Sequence, residues 1–331
     1  MKLHLLSLPH TQTHRKFSTC AFTSKILRFS PMMRSVGYEV IHYGVEGAES
    51  GASEQVNVMS AERWLELGGR EPDGRQYNDL IRPDSLLYQE FNVELGRALR
   101  ARTSPEDIVC LPFGSVHLPA LEGITAMHLE TGIGYPAAFA RFRIYESYAW
   151  MHYHLGKENR SGDDYWWVIP NYFDPQEWCL GDGAGGYVAY MGRLNRDKGL
   201  DIVWELARAR PDLKFVLCGQ GDPKPWLTLP NVRARKPLHG AGRDEFLGRA
   251  MVTLCPTRYV EPFGGGFLAA ADLVAHDWIE NLRATASDRT KARFAKNFQR
   301  IANRHLENSL GQMAGFDGGE CLYMQLRIER P

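Results

Sequence analysis

Short apolar runs alternate with amphipathic stretches along much of the 331-residue chain, and the pattern is clearest over 187–222. Residues 187–191 are an apolar run that ends at Gly192, and Arg193, Arg196 and Lys198 follow within six residues. After Gly199, the residues Leu200, Ile202, Val203, Leu206 and Ala207 recur close to the 3.6 period, which predicts a helix. Pro211 stops that helix, and 214–218 predicts the next buried strand. The segment is a βαβ unit with cations in the turn that enters a helix. Free backbone N–H groups and the helix dipole favour anions there. A solvated Arg/Lys loop of an ordinary α/β domain fits the same residues.

The rest of the chain repeats the alternation. Residues 2–8 predict a strand, and the loop 9–19 carries His10, Thr11, Thr13, His14, Arg15 and Lys16. A helix follows over 21–35, with Pro31 as a kink or break, then a strand over 38–43. Residues 44–80 are loop-rich, with a short strand at 56–58 and a helical turn at 61–67, and offer a place to recognise an acceptor. A long helix is predicted over 84–102, with Asp84 or Ser85 as its N-cap. Strands are predicted at 108–112 and 124–129, an aromatic-rich helix at 137–155, and a loop at 163–167. A second domain begins at 168–171, with strands near 187–191, 214–218, 232–235 and 251–255. Its helices are predicted at 199–210, 242–250, 267–285 and 288–306. Strands alternating with helices indicate parallel, doubly wound sheets, and the length suits two domains.

Composition narrows the function. The formal net charge is zero, which argues against a nucleic-acid binder driven by bulk charge. The sequence has no apolar run long enough for a membrane span, although a peripheral membrane contact stays open. The first residues read as a strand rather than a signal peptide. Six scattered cysteines form no CxxC pair and suit a reducing cytosol. Cys110, Cys218 and Cys255 fall in apolar strands, and burial without disulfides is expected for them. His152 and His154 are poor metal ligands if their segment is helical, because His-x-His shares a face only in a strand. No GxGxxG follows a strand, so a nicotinamide cofactor is not supported.

Three motifs taken together carry a resemblance: GRLNRDKGLD at 192–201, VLCGQGD at 216–222 and PTRYVEPFGG at 256–265. In order and spacing they resemble the C-terminal domain of the retaining GT-B glycosyltransferases, the large GT4-like group, and VIPNYFDPQEW at 168–178 resembles that family's interdomain segment. The resemblance implies an α/β GT-B fold with two Rossmann-like domains and an interdomain cleft. The domains would be 1–168 on the acceptor side and 169–310 on the nucleotide-sugar side, with a tail over 311–331. It implies transfer of a hexose from a nucleotide-diphosphate sugar to a hydroxyl acceptor, with neither a metal nor a resident cofactor.

Residue by residue, Arg193 and Lys198 match the cations that hold the donor diphosphate, and Glu261 matches the glutamate that approaches the donor sugar. Gly192, Gly219, Gly221, Phe263, Gly264 and Gly265 would let backbone amides reach the nucleotide sugar. Without the resemblance, Glu261 is an exposed acid before Pro262 in a turn. His128 is read as following the strand 124–127, at the edge where ligands collect. There it serves either as a donor-sugar contact or as a hydrogen-bonded strand-end histidine, and Glu130 is a lesser acceptor candidate. These strand ends would bring Arg193, Lys198, Glu261 and the Gly264–Gly265 backbone together, facing His128. The family's second glutamate is replaced by Ala269, and roughly 35–40 residues of the usual pattern are missing after Gly266. A folded relic that binds a sugar nucleotide without turnover is therefore the competing reading. A GT-B protein with another transfer chemistry is a third.

Overall fold

A computed structural model describes residues 1–18, 20–71, 82–171 and 181–259. The described residues fall into two compact units, 1–171 and 181–259.

The first unit has the strands β1 (Lys2–Leu6), β2 (Glu39–Val45), β3 (Glu54–Met59), β4 (Ile108–Leu111), β5 (Met127–Ile133), β6 (Phe142–Tyr145) and β7 (Trp166–Val168). Its helices are α1 (Ala21–Ser35), α2 (Ala61–Glu66), α3 (Leu86–Arg100) and α4 (Tyr148–Lys157). The sheet order is β3-β2-β1-β4-β5-β6-β7, and every neighbouring pair is parallel. Strand alternation sorts the apolar side chains onto two faces. Leu3, Leu5, Val40 and Cys110 pack against Ile26 of α1 on one face. Leu6, Ile41, Tyr43, Val109 and Leu111 meet Phe91, Leu95 and Leu99 of α3 on the other. Each such buried side chain contributes about 1.5–3 kcal/mol of transfer free energy.

The second unit has β8 (Val188–Met191), α5 (Leu200–Ala209), β9 (Phe215–Cys218), β10 (Val232–Arg235), α6 (Gly240–Arg249) and β11 (Val252–Leu254). Its parallel order is β10-β9-β8-β11. Leu200, Val203 and Ala207 of α5 pack on Val188, Tyr190, Phe215 and Leu217. Phe246 and Leu247 of α6 cover Ala189, Val216 and Cys218 from the other side. Both sheets are therefore parallel and covered by helices on two faces, as the alternation predicts.

Four local expectations need correction. Helix α1 runs through Pro31 without a break, because Pro31 is on the exposed side and the carbonyl deprived of its partner is not sealed in the core. Residues 142–145 are a strand rather than helix: Arg143 and Tyr145 are buried on one face and Phe142 and Ile144 are half-buried on the other. Residues 166–168 are the edge strand β7 rather than loop or domain entry. Strand β5 starts three residues later than the apolar run suggests and extends through Glu130 to Ile133. Described cysteines 20, 110, 218 and 255 form no disulfide, and Cys110 and Cys218 are buried. Cys255 is only half-buried, because it lies just beyond the end of β11. The helices expected at 267–285 and 288–306 lie outside the described residues.

Candidate anion-binding loops of the second unit

In the second sheet, β9 and β10 lie to one side of β8 and β11 lies to the other. The chain reverses its direction of travel across the sheet between β8 and β11. Ligands of open parallel sheets bind at such a point, beyond the carboxyl ends of the strands. The loop after β8 is the basic turn 192–199, and the loop after β11 begins at Cys255.

These two loops are fastened together. Gly199 has φ +71, and a Cβ placed there would lie 1.8 Å from the Pro256 carbonyl oxygen. Only glycine gives both the left-handed backbone and that approach. Arg258 donates its backbone N–H to Asp197 O at 3.0 Å, and its guanidinium lies 2.8 Å from the Asp201 carboxylate in the first turn of α5. Lys198 Nζ stands 4.6 Å from the centre of the Tyr259 ring, within the range of a cation–π contact. Asn195 Oδ1 accepts the Lys198 backbone N–H at 3.1 Å and fixes the turn from within.

The loop after β9 closes the other side. A Cβ on Gly219 would lie 1.7 Å from the Gly192 carbonyl oxygen, so the two backbones pass as closely as glycine allows. Gly192 N–H donates to Cys218 O at 3.0 Å, and Leu194 N–H to Gln220 O at 2.7 Å. Tyr190 donates its hydroxyl to Arg193 O at 2.6 Å. Gly221 takes φ +119. The sequence-predicted residues Gly192, Arg193, Lys198, Gly219 and Gly221 thus belong to adjoining loops at one sheet edge. Glu261, Phe263, Gly264, Gly265 and Ala269 lie outside the described residues. Sequence reasoning missed Asn195, Arg258 and Tyr259 as parts of this arrangement. The signal for the last two was their place just ahead of Glu261.

The first unit alters two assignments. His128 is the second residue of β5 and pairs in register with Val109, so it stands at the amino end of the parallel sheet. Its placement at the ligand edge is therefore corrected, and burial holds its imidazole below the ordinary range. Glu130 is a structural carboxylate inside the sheet, fully buried. Its Oε2 accepts the N–H groups of Phe139 and Ala140 at 2.9 and 2.8 Å, and its Oε1 accepts the Tyr135 hydroxyl at 3.2 Å. Burial pushes its carboxyl up, and these donors only partly offset the rise. His152 and His154 lie in α4, and the buried His154 holds its Nε2 2.9 Å from Tyr135 O.

No family model matches the sequence, and neither does any curated protein. Solved structures do match in fold. Sucrose-phosphate synthase from Thermosynechococcus elongatus superposes with a TM-score of 0.57 at 13% identity, covering 82% of this chain and 79% of that one. Anabaena HepE in complex with UDP and glucose gives a TM-score of 0.54 at 12% identity, over 82% of this chain and 78% of its own. The pneumococcal O-GlcNAc transferase GtfA in complex with UDP and GlcNAc gives 0.52 at 10% identity, over 82% of each chain. At these identities the likeness is one of architecture. Two helix-covered parallel sheets, of seven and four described strands, form a fold of the GT-B glycosyltransferase type.

Proposed function

We propose that this protein is a retaining glycosyltransferase that moves a hexose from a nucleotide-diphosphate sugar to a hydroxyl acceptor. The observation that carries this reading is the meeting of the loops after β8, β9 and β11. It sets Arg193 and Lys198 beside the start of α5, in a turn held by close backbone contacts that glycine alone allows at 199 and 219. In this reading 1–168 serves the acceptor and 169–310 the donor, with 311–331 as a tail.

Breaking the sugar–phosphate bond loads negative charge onto the leaving diphosphate. Arg193 and Lys198 stabilise that charge without a metal, and they act most strongly in the transition state, where the charge is greatest. The backbone at Gly192, Gly219 and Gly221 admits the nucleotide. Glu261 and the Phe263-Gly264-Gly265 amides take the sugar. The acceptor hydroxyl attacks from the face the diphosphate leaves, and a phosphate oxygen accepts its proton. His128 has no part in this scheme. The six scattered cysteines, with no CxxC pair, suit a reducing compartment such as the cytosol. Among the described residues no helix is long and apolar enough to cross a membrane.

Ala269 favours a second reading. With no carboxylate for the ribose hydroxyls, the chain would bind a sugar nucleotide weakly and not turn it over. Calorimetry with UDP-, GDP- and ADP-sugars, followed by an assay for nucleoside diphosphate release in the presence of hydroxyl acceptors, separates the readings. Binding with release supports transfer, and binding without release supports the relic. Absence of binding to all three donors rejects both.

A further inference from the structure

The loop between β1 and α1 holds a cysteine–histidine pair that the transfer scheme does not use. His10 Nε2 lies 3.1 Å from Cys20 Sγ. Both residues are more than nine-tenths buried, at 8% and 7% exposure. The Tyr88 hydroxyl, on α3, lies 3.4 Å from Nδ1 of the same ring, so the imidazole is held between a phenol and a thiol. Cys20 is also the N-cap residue of the fifteen-residue α1, where the helix dipole favours negative charge. Burial alone would push the thiol up. The charge and hydrogen bond of His10, with smaller pulls from Thr23, outweigh it and bring Cys20 down to about 7. The molecule contains its own contrast. Cys110 is equally buried without such a partner and is pushed up to about 12, and burial also raises Cys218.

The sheet order gives the pair its setting. In the first sheet the strand order reverses between β1 and β4, and the loop carrying His10 and Cys20 leaves the carboxyl end of β1. Thiolates become reactive where a histidine and a helix start favour them. We propose that Cys20 is a hydroperoxide-reactive thiol and a site of reversible oxidation in the first unit. In the step, the Cys20 sulfur attacks one peroxide oxygen. A sulfur–oxygen bond forms as the oxygen–oxygen bond breaks, so sulfur is oxidised to the sulfenic acid and the peroxide is reduced. The departing hydroxide or alkoxide takes its proton from His10 and leaves as water or alcohol. A low-molecular-weight thiol reverses the change. Nothing in this step depends on the glycosyltransferase reading.

The test treats the full chain with hydrogen peroxide and dimedone at pH 7 and maps the adducts by mass spectrometry. Thiolate absorbance at 240 nm is followed against pH in parallel. The expected result is an adduct at Cys20, with Cys110 and Cys218 unlabelled. An absorbance step near pH 7 should disappear in Cys20→Ser. His10→Gln should slow oxidation at pH 7 by tenfold or more. If that variant fails to fold, the wild-type pH profile decides. A rate that levels off just above pH 7 supports the pair, and one that climbs steadily to pH 9 rejects it. An unlabelled Cys20, or labelling of Cys110 to the same extent, overturns the proposal.

Discussion

The two sheets treat polar side chains in opposite ways. The first buries His4, His42, Asn92, Asp107, His117, Glu130 and Arg143 in and around its strands, whereas Asp244, Thr253 and Thr257 are the buried polar residues among those described in the second. Each buried polar group in the first unit needs a partner supplied by another element. Asn92 of α3 meets His117 Nδ1 at 2.8 Å, and Arg143 of β6 meets Glu158 at 2.5 Å while its guanidinium lies 4.4 Å from the Trp166 ring centre. Such networks specify one arrangement, but they carry desolvation costs that an apolar core avoids. The second unit keeps its interior largely apolar and places Arg193, Arg196 and Lys198 in a loop at the sheet edge. There an anion can meet them without first disrupting the core. The first unit therefore depends on tertiary detail, and the second on local pattern.

The largest expected effect tests whether the units stand apart energetically. Phe91 of α3 is fully buried in the first core. Phe91→Ala is expected to cost about 3–5 kcal/mol. Hydrogen exchange read by mass spectrometry should show protection lost in 1–171 and kept in 181–259. Loss in both units would end the comparison.

Acid sharpens it. Burial lowers both His42 and His117 to about 4 in the folded protein, against an ordinary value of 6.5. Above pH 6.5 both are neutral whether folded or unfolded, so they contribute no pH dependence. Between 6.5 and 4 the unfolded chain binds protons that the folded chain refuses, and stability falls as pH falls. The loss is about 2 kcal/mol per histidine at pH 5. The single described histidine of the second unit, His239, is lowered by burial and by Arg243, so that unit has one such group against several in the first. Urea unfolding at pH 7 and pH 5 should therefore weaken the first unit more than the second, and His117→Gln should flatten its pH slope. Equal slopes in both units would contradict the account.

Lys198→Ala tests the other half. It should weaken nucleotide-diphosphate binding by about 1.5–3 kcal/mol, the range for a hydrogen bond to a charged group. Protection of the first unit should not change. Unaltered binding in calorimetry, on a protein that binds the wild-type ligand, would remove the basic turn from the site. The smallest effect is Ser60→Ala. Ser60 caps α2 by accepting the Arg63 N–H at 3.1 Å, and its loss should cost about 1 kcal/mol. Melting temperature should fall slightly, without any change in ligand affinity.

The same contrast explains what could be read from the sequence. Strands β8 to β11 and helices α5 and α6 fall where apolar runs bounded by Gly and Pro place them, because their partners are close in sequence and their cores are apolar. The sequence predicts helix at β6 because Arg143 looks like a surface residue until Glu158 and Trp166 enclose it. The sequence places β5 too early because its polar half, Glu130 and Thr131, looks like a loop. The amides of Phe139 and Ala140 and the Tyr135 hydroxyl explain a carboxylate there. That shift of a few residues moved His128 from one end of the sheet to the other. In the basic turn, the charge pattern pointed to Arg193 and Lys198. The fastening of the turn by Arg258 and Tyr259 depends on a loop sixty residues away, and no local pattern encodes it.

The placement of β1 also orders events during synthesis. It is a central strand, paired in register with β2 on one side and with β4 on the other, where Leu3 meets Ile108. The second partner emerges from the ribosome about 100 residues later, roughly 5–20 s at ordinary elongation rates. Until then the nascent sheet exposes an unpaired, apolar edge, and closing so long a loop slows the pairing further. The β8–β9 and β9–β10 pairs of the second unit join neighbours in the chain and face no such wait. Chaperone demand during translation should therefore concentrate on the nascent first unit, before β4 is available.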